Sequence, residues 1–395
     1  MVLHSDARRR RRGVKVTHIT TSDMSLRYLL LDQLRYLQAH GHDVSAVSGP
    51  GPWVEAVRTA GIPVKTTPLT RKIAPLQDLR ALGALLWHLM RTRPDVVHTH
   101  TPKASLLGQW ASAALRVRHR VHTIHGLYFP GHMRPGRRWM YVWLERMQMA
   151  PAHLILSQNA EDLETVRRDR IADPAKLRFL GNGIDITRFS PANASPERRA
   201  ALRAELGIPG GDQVVGIVGR LVREKGYLEL FEAAATVLNE RPNTTFIAIG
   251  GQEPTKADGI SPEDPAARAL GPRLRLLGHR EDVELLYGAM DVLVLPSHRE
   301  GFPRAPMEAA ATGVPVVATN IRGCRDTVID GETGRLVPLR DSHALALALL
   351  ELLGDDDRRR EMGLRGRKLA EERFDQRLVF QRVADAYAAL EASTR

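Results

Sequence analysis

The chain has 395 residues, 43% of them hydrophobic and 26% charged, which excludes a disordered protein and is too long for one ordinary core. A single cysteine, Cys324, excludes an internal disulfide framework and a cysteine-based metal site and fits a reducing cytoplasm. The net charge of +12 is lopsided: residues 1–188 hold 29 Lys/Arg against 14 Asp/Glu, and the remaining residues hold 28 against 31, so an anionic partner is expected for the first half.

Five arginines at positions 8–12 form a basic tail over 1–13. No apolar run follows them, so no signal peptide is expected. KVTHITT (15–21) predicts a strand, 26–39 a helix, and DVSAVS (43–48) a second strand. The apolar run ALGALLWHLM at 81–90 is about half a membrane span, so no transmembrane helix is expected. VVHTHT (96–101), RVHTIHG (120–126) and HLILSQ (153–158) predict further strands with helical patterns between them. The stretch NGIDITRFSPANASPERR (182–199) is rich in Gly, Pro, Asn and Ser and marks the domain boundary. The pattern then restarts: QVVGIVGRL (213–221), TTFIAIGG (244–251), RLRLLG (273–278), DVLVLPS (291–297) and VPVVAT (314–319) predict a second sheet. Strands alternating with helices define an α/β chain of two doubly wound, Rossmann-like domains, expected to face each other across a cleft. The domains are set at 14–188 and 189–374, with a C-terminal helix over 375–395.

Ligands of such sheets bind beyond the carboxyl ends of the strands, where the polar residues collect. Glu300 and Glu308 stand with seven residues between them at a strand-to-helix junction. Backbone amides there suit phosphate, and carboxylates accept from sugar hydroxyls. With Pro303 and Pro306 lacking N–H groups, the amides on this turn belong to Gly301, Phe302, Arg304 and Ala305. Glu308, starting the helix, suits ribose. Arg220 and Lys225 in GRLVREKG (219–226) flank a turn opening onto a helix, a diphosphate site that would neutralise a leaving nucleoside diphosphate. His125 ends a strand before Gly126 and is expected to bond a sugar hydroxyl or relay a proton. His98 and His100 alternate on one strand and share a face. Two histidines are too few for a metal site. Asp355, Asp356 and Asp357 are expected as helix caps.

These residues resemble glycosyltransferase family four, the retaining GT-B glycosyltransferases. The resemblance rests on EGFPRAPMEAAATGVPVVAT with its Glu300-x7-Glu308 spacing, on GRLVREKG, and on GNGIDITRF (181–189). HTHTPKASLLG and HTIHGLYF resemble the N-terminal half of bacterial members that build surface polysaccharides or glycans on a polyprenyl carrier. The likeness implies a GT-B fold and hexosyl transfer from a nucleotide sugar (UDP or GDP) with retention at the anomeric carbon, without metal or cofactor. It implies Glu300 at the donor sugar, Glu308 on ribose, Arg220 and Lys225 on the diphosphate with the Gly301, Phe302 and Arg304 turn, and His125 on the transferred sugar. Many relatives carry a Gly-Gly pair in the first loop, where this chain has TTSDMSL (20–26). Ser22 and Ser25 are therefore expected to offer hydroxyls there, on the acceptor side with His100 and Lys103. The acceptor is expected to be polyprenyl-linked or another hydroxyl, and the enzyme cytoplasmic and peripheral at an anionic inner membrane face. An epimerase or phosphorylase on the same fold is the nearest alternative. A nucleic-acid partner is not expected: the chain has no reader motif and only 5% aromatics.

Overall fold

The computed structural model describes residues 13–70, 72, 74–127, 129, 133–252, 258–261 and 263–393. Two sheets organise it. The first contains β1 (Lys15–Ile19), β2 (Asp43–Ser48), β3 (Val64–Thr66), β4 (Val96–Thr99), β5 (His119–Ile124), β6 (Leu154–Ser157) and β7 (Leu177–Phe179). The second contains β8 (Gln213–Val218), β9 (Thr244–Ile249), β10 (Leu274–Gly278), β11 (Val292–Leu295), β12 (Val316–Thr319) and β13 (Gly334–Val337). The strand orders are β3-β2-β1-β4-β5-β6-β7 and β10-β9-β8-β11-β12-β13. Every pairing within both sheets is parallel. Strand order therefore reverses between β1 and β4 in the first sheet and between β8 and β11 in the second, the points where doubly wound sheets open to ligands.

The sequence dictates this burial. Parallel strands covered on both faces read as continuous apolar runs, as in VLVL of β11, all four residues buried. Alternation then sends Val292 and Val294 to one side and Leu293 and Leu295 to the other. Each such aliphatic side chain contributes about 1.5–3 kcal/mol on burial. Helices Tyr227–Glu240 and Ser342–Gly354 cover the first of these sides, and Arg304–Thr312 and Asp356–Arg373 the second. Asp355 caps the last of these, accepting from the Arg358 amide at 2.9 Å, whereas Asp356 and Asp357, also expected as caps, lie inside its first turn and pair with Arg359 and Arg360.

Contacts divide the chain into two compact units, one running to Leu180 and resuming at Phe380, the other spanning Gly181–Val379. The sequence reading put the boundary after residue 188 and set 375–395 apart as a separate helix. The contacts divide it earlier, because Ile184, Ile186 and Phe189 sit in the core of the second unit and Ile184 bridges Asp375. The closing helix, Gln376–Ala392, returns to the first unit, where Tyr387 is fully buried.

Candidate functional site

In the second unit Lys225 and Glu300 meet at the reversal of strand order, Glu308 lies in the helix that follows, and Arg220 is exposed in the loop after β8. The loop after β8 tightens into a 3-10 turn, Arg223–Lys225, and Gly226 opens helix Tyr227–Glu240. Gly226 has φ +75°, and a Cβ there would run into the Pro296 carbonyl, so only glycine lets this turn close onto the end of β11. Lys225 Nζ then reaches Glu300 Oε1 at 2.6 Å, both groups largely buried. The loop after β8 is thus tied to the loop after β11 by a charge-assisted bond. Two further links run in parallel: the His298 amide donates to the Glu224 carbonyl at 2.8 Å, and Arg299 pairs with Glu224 at 2.8 Å.

Glu300 is held from below by Gly323, which follows β12. Gly323 has φ +86°, and a Cβ on it would lie 2.6 Å from the Gly301 carbonyl. Close backbone approach, rather than a side chain, sets the position of the Glu300–Gly301 peptide. Helix Arg304–Thr312 begins three residues on, with Pro303 extended before it. The Asn182 side-chain amide donates to the Phe302 carbonyl at 3.1 Å. Glu308 is buried in the first turns of this helix. It accepts from the Tyr287 hydroxyl at 2.8 Å and from Arg304 Nε at 3.3 Å. A carboxylate has about four lone-pair positions, so Glu308 keeps accepting capacity. Burial and the Glu308 charge push the Tyr287 phenol well above its ordinary value, so it stays a donor. Beside this cluster the Ser297 hydroxyl, at the end of β11, is buried with no hydrogen-bond partner, and burial pushes the Cys324 thiol up.

The first unit holds a histidine cluster at its own reversal. Register sets His18 of β1 beside His98 of β4, and alternation puts His100 on the same face. The ring nitrogens of His18, His98 and His100 lie within 4.8 Å of one another. The expectation that only two histidines meet here is corrected: strand pairing supplies a third that sequence spacing could not reveal. All six ring nitrogens have protein partners. His18 Nδ1 meets His100 Nε2 at 2.9 Å, and His100 Nδ1 meets His125 Nε2 at 3.2 Å. His98 meets Tyr387 Oη and Thr123 Oγ1, each at 2.6 Å, and Tyr387 Oη lies 3.4 Å from His18 Nε2. A cation in this cluster would have to displace those bonds. Burial holds His18 at about 3 and His125 at about 4, and puts His98 and His100 well below the imidazole range, so all four are neutral at pH 7.

His125 is half-exposed, with Nδ1 3.1 Å from Gln158 Oε1. Two residues on, Leu127 is tied through its amide to Asp162 at 3.1 Å. Glu145 is buried near Asp162, and burial with that charge pushes its carboxyl up to about 8. The residues expected on the acceptor side fall apart in character. Ser22 and Ser25 bracket a helical turn at the end of β1 and are partly exposed. Lys103 is engaged by Asp78 at 2.7 Å and by the Lys72 carbonyl. His100 is 4% exposed and turned inward. The arginines at 8–12 lie outside the described residues, and Arg120 is half-buried, donating to the Pro151 carbonyl at 2.6 Å.

Two parallel doubly wound units with polar residues at each strand-order reversal define the GT-B class of fold. Residues 198–369 match the family described as Glycosyl transferases group 1, and residues 28–188 the one described as Glycosyltransferase Family 4. The chain is 29% identical over 377 residues to the capsular polysaccharide biosynthesis glycosyltransferase CapM of Staphylococcus aureus, covering 94% of this chain and 96% of that one. It is 29% identical to the UDP-Gal:alpha-D-GlcNAc-diphosphoundecaprenol alpha-1,3-galactosyltransferase of Escherichia coli (87% and 88% covered). It is 30% identical to the D-inositol 3-phosphate glycosyltransferase of Corynebacterium glutamicum (strain R) (75% and 73% covered). Among solved structures, Anabaena Alr3699/HepE in complex with UDP-glucose shares the fold, with a TM-score of 0.81 at 23% identity over 95% of this chain and 100% of that one. The chain belongs to the family-four GT-B glycosyltransferases and is a glycosyltransferase enzyme.

Proposed function

We propose that the protein moves a hexosyl group from a UDP- or GDP-sugar to a hydroxyl of a lipid-linked glycan, with retention at the anomeric carbon and without a metal ion. The observation that carries this reading is the Lys225–Glu300 pair at the β8/β11 reversal, which sets a cation for phosphate beside a carboxylate for sugar hydroxyls. In this reading Lys225 and Arg220, with the amides of Gly301, Phe302 and Arg304, take the diphosphate. Their positive charge grows in value as the leaving group gains charge in the transition state, which is the work a divalent cation would otherwise do. Glu300 accepts from the donor sugar, and Glu308, already oriented by Tyr287 and Arg304, accepts from ribose. His125 serves the transferred sugar. Ser22 and Ser25 face the acceptor, whereas Lys103 supports its loop through Asp78.

A lipid-linked acceptor is favoured by the relative whose name specifies a diphosphoundecaprenol substrate. Among the described residues no helix is long and apolar enough to cross a membrane. Helix Pro135–Met149 leaves Trp139 68% and Trp143 47% exposed beside Arg134, Arg137 and Arg146. Tryptophan over arginine on one amphipathic helix is the composition of a segment lying at a lipid surface. The test is transfer of labelled sugar from UDP- and GDP-sugars to polyprenyl-diphosphate-linked saccharides, with and without EDTA. Product with the donor's anomeric configuration, formed equally in EDTA, is expected. An inverted product, or strict dependence on added manganese, overturns the mechanism.

A further inference from the structure

Four histidines of the first unit lie on a continuous line of contacts: Thr123, His98, Tyr387, His18, His100, His125, Gln158. A neutral imidazole has one N–H and one bare nitrogen, so each ring that is bonded at both nitrogens must receive at one and donate at the other. The line therefore has a direction, and one end sets it. The Gln158 amide oxygen faces His125 Nδ1, so Nδ1 carries the hydrogen and Nε2 is bare. His100 then donates from Nδ1 to His125 Nε2, and its own Nε2 accepts from His18 Nδ1. His18 Nε2 accepts from the Tyr387 hydroxyl, whose oxygen accepts from His98 Nδ1. His98 Nε2 accepts from the Thr123 hydroxyl, and every donor and acceptor is matched.

We propose that this seven-residue chain fixes His125 as an N–H donor, with Tyr387, His98, His18 and His100 acting as positioning residues behind it. The inference rests on the reading that His125 serves the transferred sugar, and it gives that contact its chemistry. His125 Nε2 is occupied from behind by His100, so the ring cannot act as a base. Its Nδ1–H points at Gln158, the half-exposed end of the line, and a substrate hydroxyl oxygen can take the place of the Gln158 oxygen without disturbing the rest. A donor fixed before substrate arrives needs no reorganisation on binding. Burial supports the arrangement, since a water-filled site would let each ring choose its own form, and imidazole in water favours hydrogen on Nε2.

The test is the long-range nitrogen–proton NMR spectrum of the full chain with labelled histidine at pH 7. His18, His98, His100 and His125 are all expected in the Nδ1–H form. A mixed set, an all-Nε2–H set, or any imidazolium among the four overturns the proposal. In Tyr387→Phe, His98 loses the acceptor for its Nδ1–H and is expected to switch to Nε2–H, donating to Thr123, while the other three keep their form. If His98 does not switch in a folded Tyr387→Phe protein, Tyr387 is not a link. Should that variant not fold, Thr123→Val serves: His98 is expected to stay Nδ1–H with its Nε2 resonance shifted, and a switch there contradicts the direction. These spectra need no turnover, so they decide the chain even if the protein transfers no sugar. A UDP-sugar that leaves the His125 Nδ1 resonance unmoved would instead remove the sugar contact and leave the chain standing.

Discussion

At the scale of single residues, the Lys225–Glu300 bond couples two groups whose roles differ. Glu300→Gln keeps the shape and removes the charge, so turnover should fall sharply while nucleotide binding survives, because the lost interaction is felt mainly at the reacting sugar. Lys225→Ala should weaken free UDP or GDP as well as slow transfer. The two side chains touch, so their effects should fail to add, with a coupling of about 0.5–3 kcal/mol in a double-mutant cycle on kcat/KM. Additive losses would separate them. Gly323 makes a prediction about stability. Gly323→Ala forces a side chain into a positive-φ position and against the Gly301 carbonyl, and should cost about 1–3 kcal/mol in urea unfolding. A neutral substitution would mean that the Glu300 turn is not pinned from below.

At the scale of elements, much was legible and the rest fails for identifiable reasons. DVSAVS matches β2 residue for residue, because β-branched and small apolar residues bounded by turn signals have one reading. Three short strands, β3, β7 and β13, are not signalled: VKT and LRF have three residues each, GRLV carries a glycine and a charged residue in four, and all three lie at sheet edges. The 26–39 helix opens with a π-helical turn at Leu26–Leu30 and is α-helical only over Leu31–Ala39, which no propensity signals. The Lys225–Glu300 pair spans 75 residues, but each member lies in a short motif directly after a strand, so sequence reading reaches each motif separately. The histidine chain was not readable, because His18, His98 and Tyr387 are joined by strand register and by a helix nearly three hundred residues away. That chain also sets an acid limit on the first unit. His18, His98, His100, His122 and His125 are neutral when folded, with His122 also at about 3, and take up protons near 6.5 when unfolded. His42 and Tyr387 face the same cluster. Folded values below unfolded ones mean that stability is complete above about pH 6.5 and is lost as pH falls toward 4. Each histidine adds a slope of about 1.4 kcal/mol per pH unit in that window. Denaturant midpoints measured from pH 7 to pH 4.5 should drop steeply, and a flat profile would contradict burial of neutral rings.

At the scale of the whole molecule, the excess positive charge and the exposed tryptophans of helix Pro135–Met149 belong to the same unit. Vesicle co-sedimentation should rise with anionic lipid and fall with salt, since charges at a surface are screened within a Debye length. A Trp139→Ala, Trp143→Ala double variant should bind less without losing its salt dependence. Equal binding to neutral vesicles would assign the arginines no part in it. On the proposed function, the β8/β11 reversal of the second unit binds a nucleoside diphosphate sugar. The most direct measurement is thermal unfolding of the wild type and of Lys225→Ala across a panel of UDP- and GDP-sugars. A ligand at a hundred times its dissociation constant stabilises by about 2.7 kcal/mol, roughly 5–10 °C for a unit of this size. One donor class should shift the wild type by that amount and Lys225→Ala by much less. No shift with any nucleotide sugar, or equal shifts in both proteins, would contradict the account.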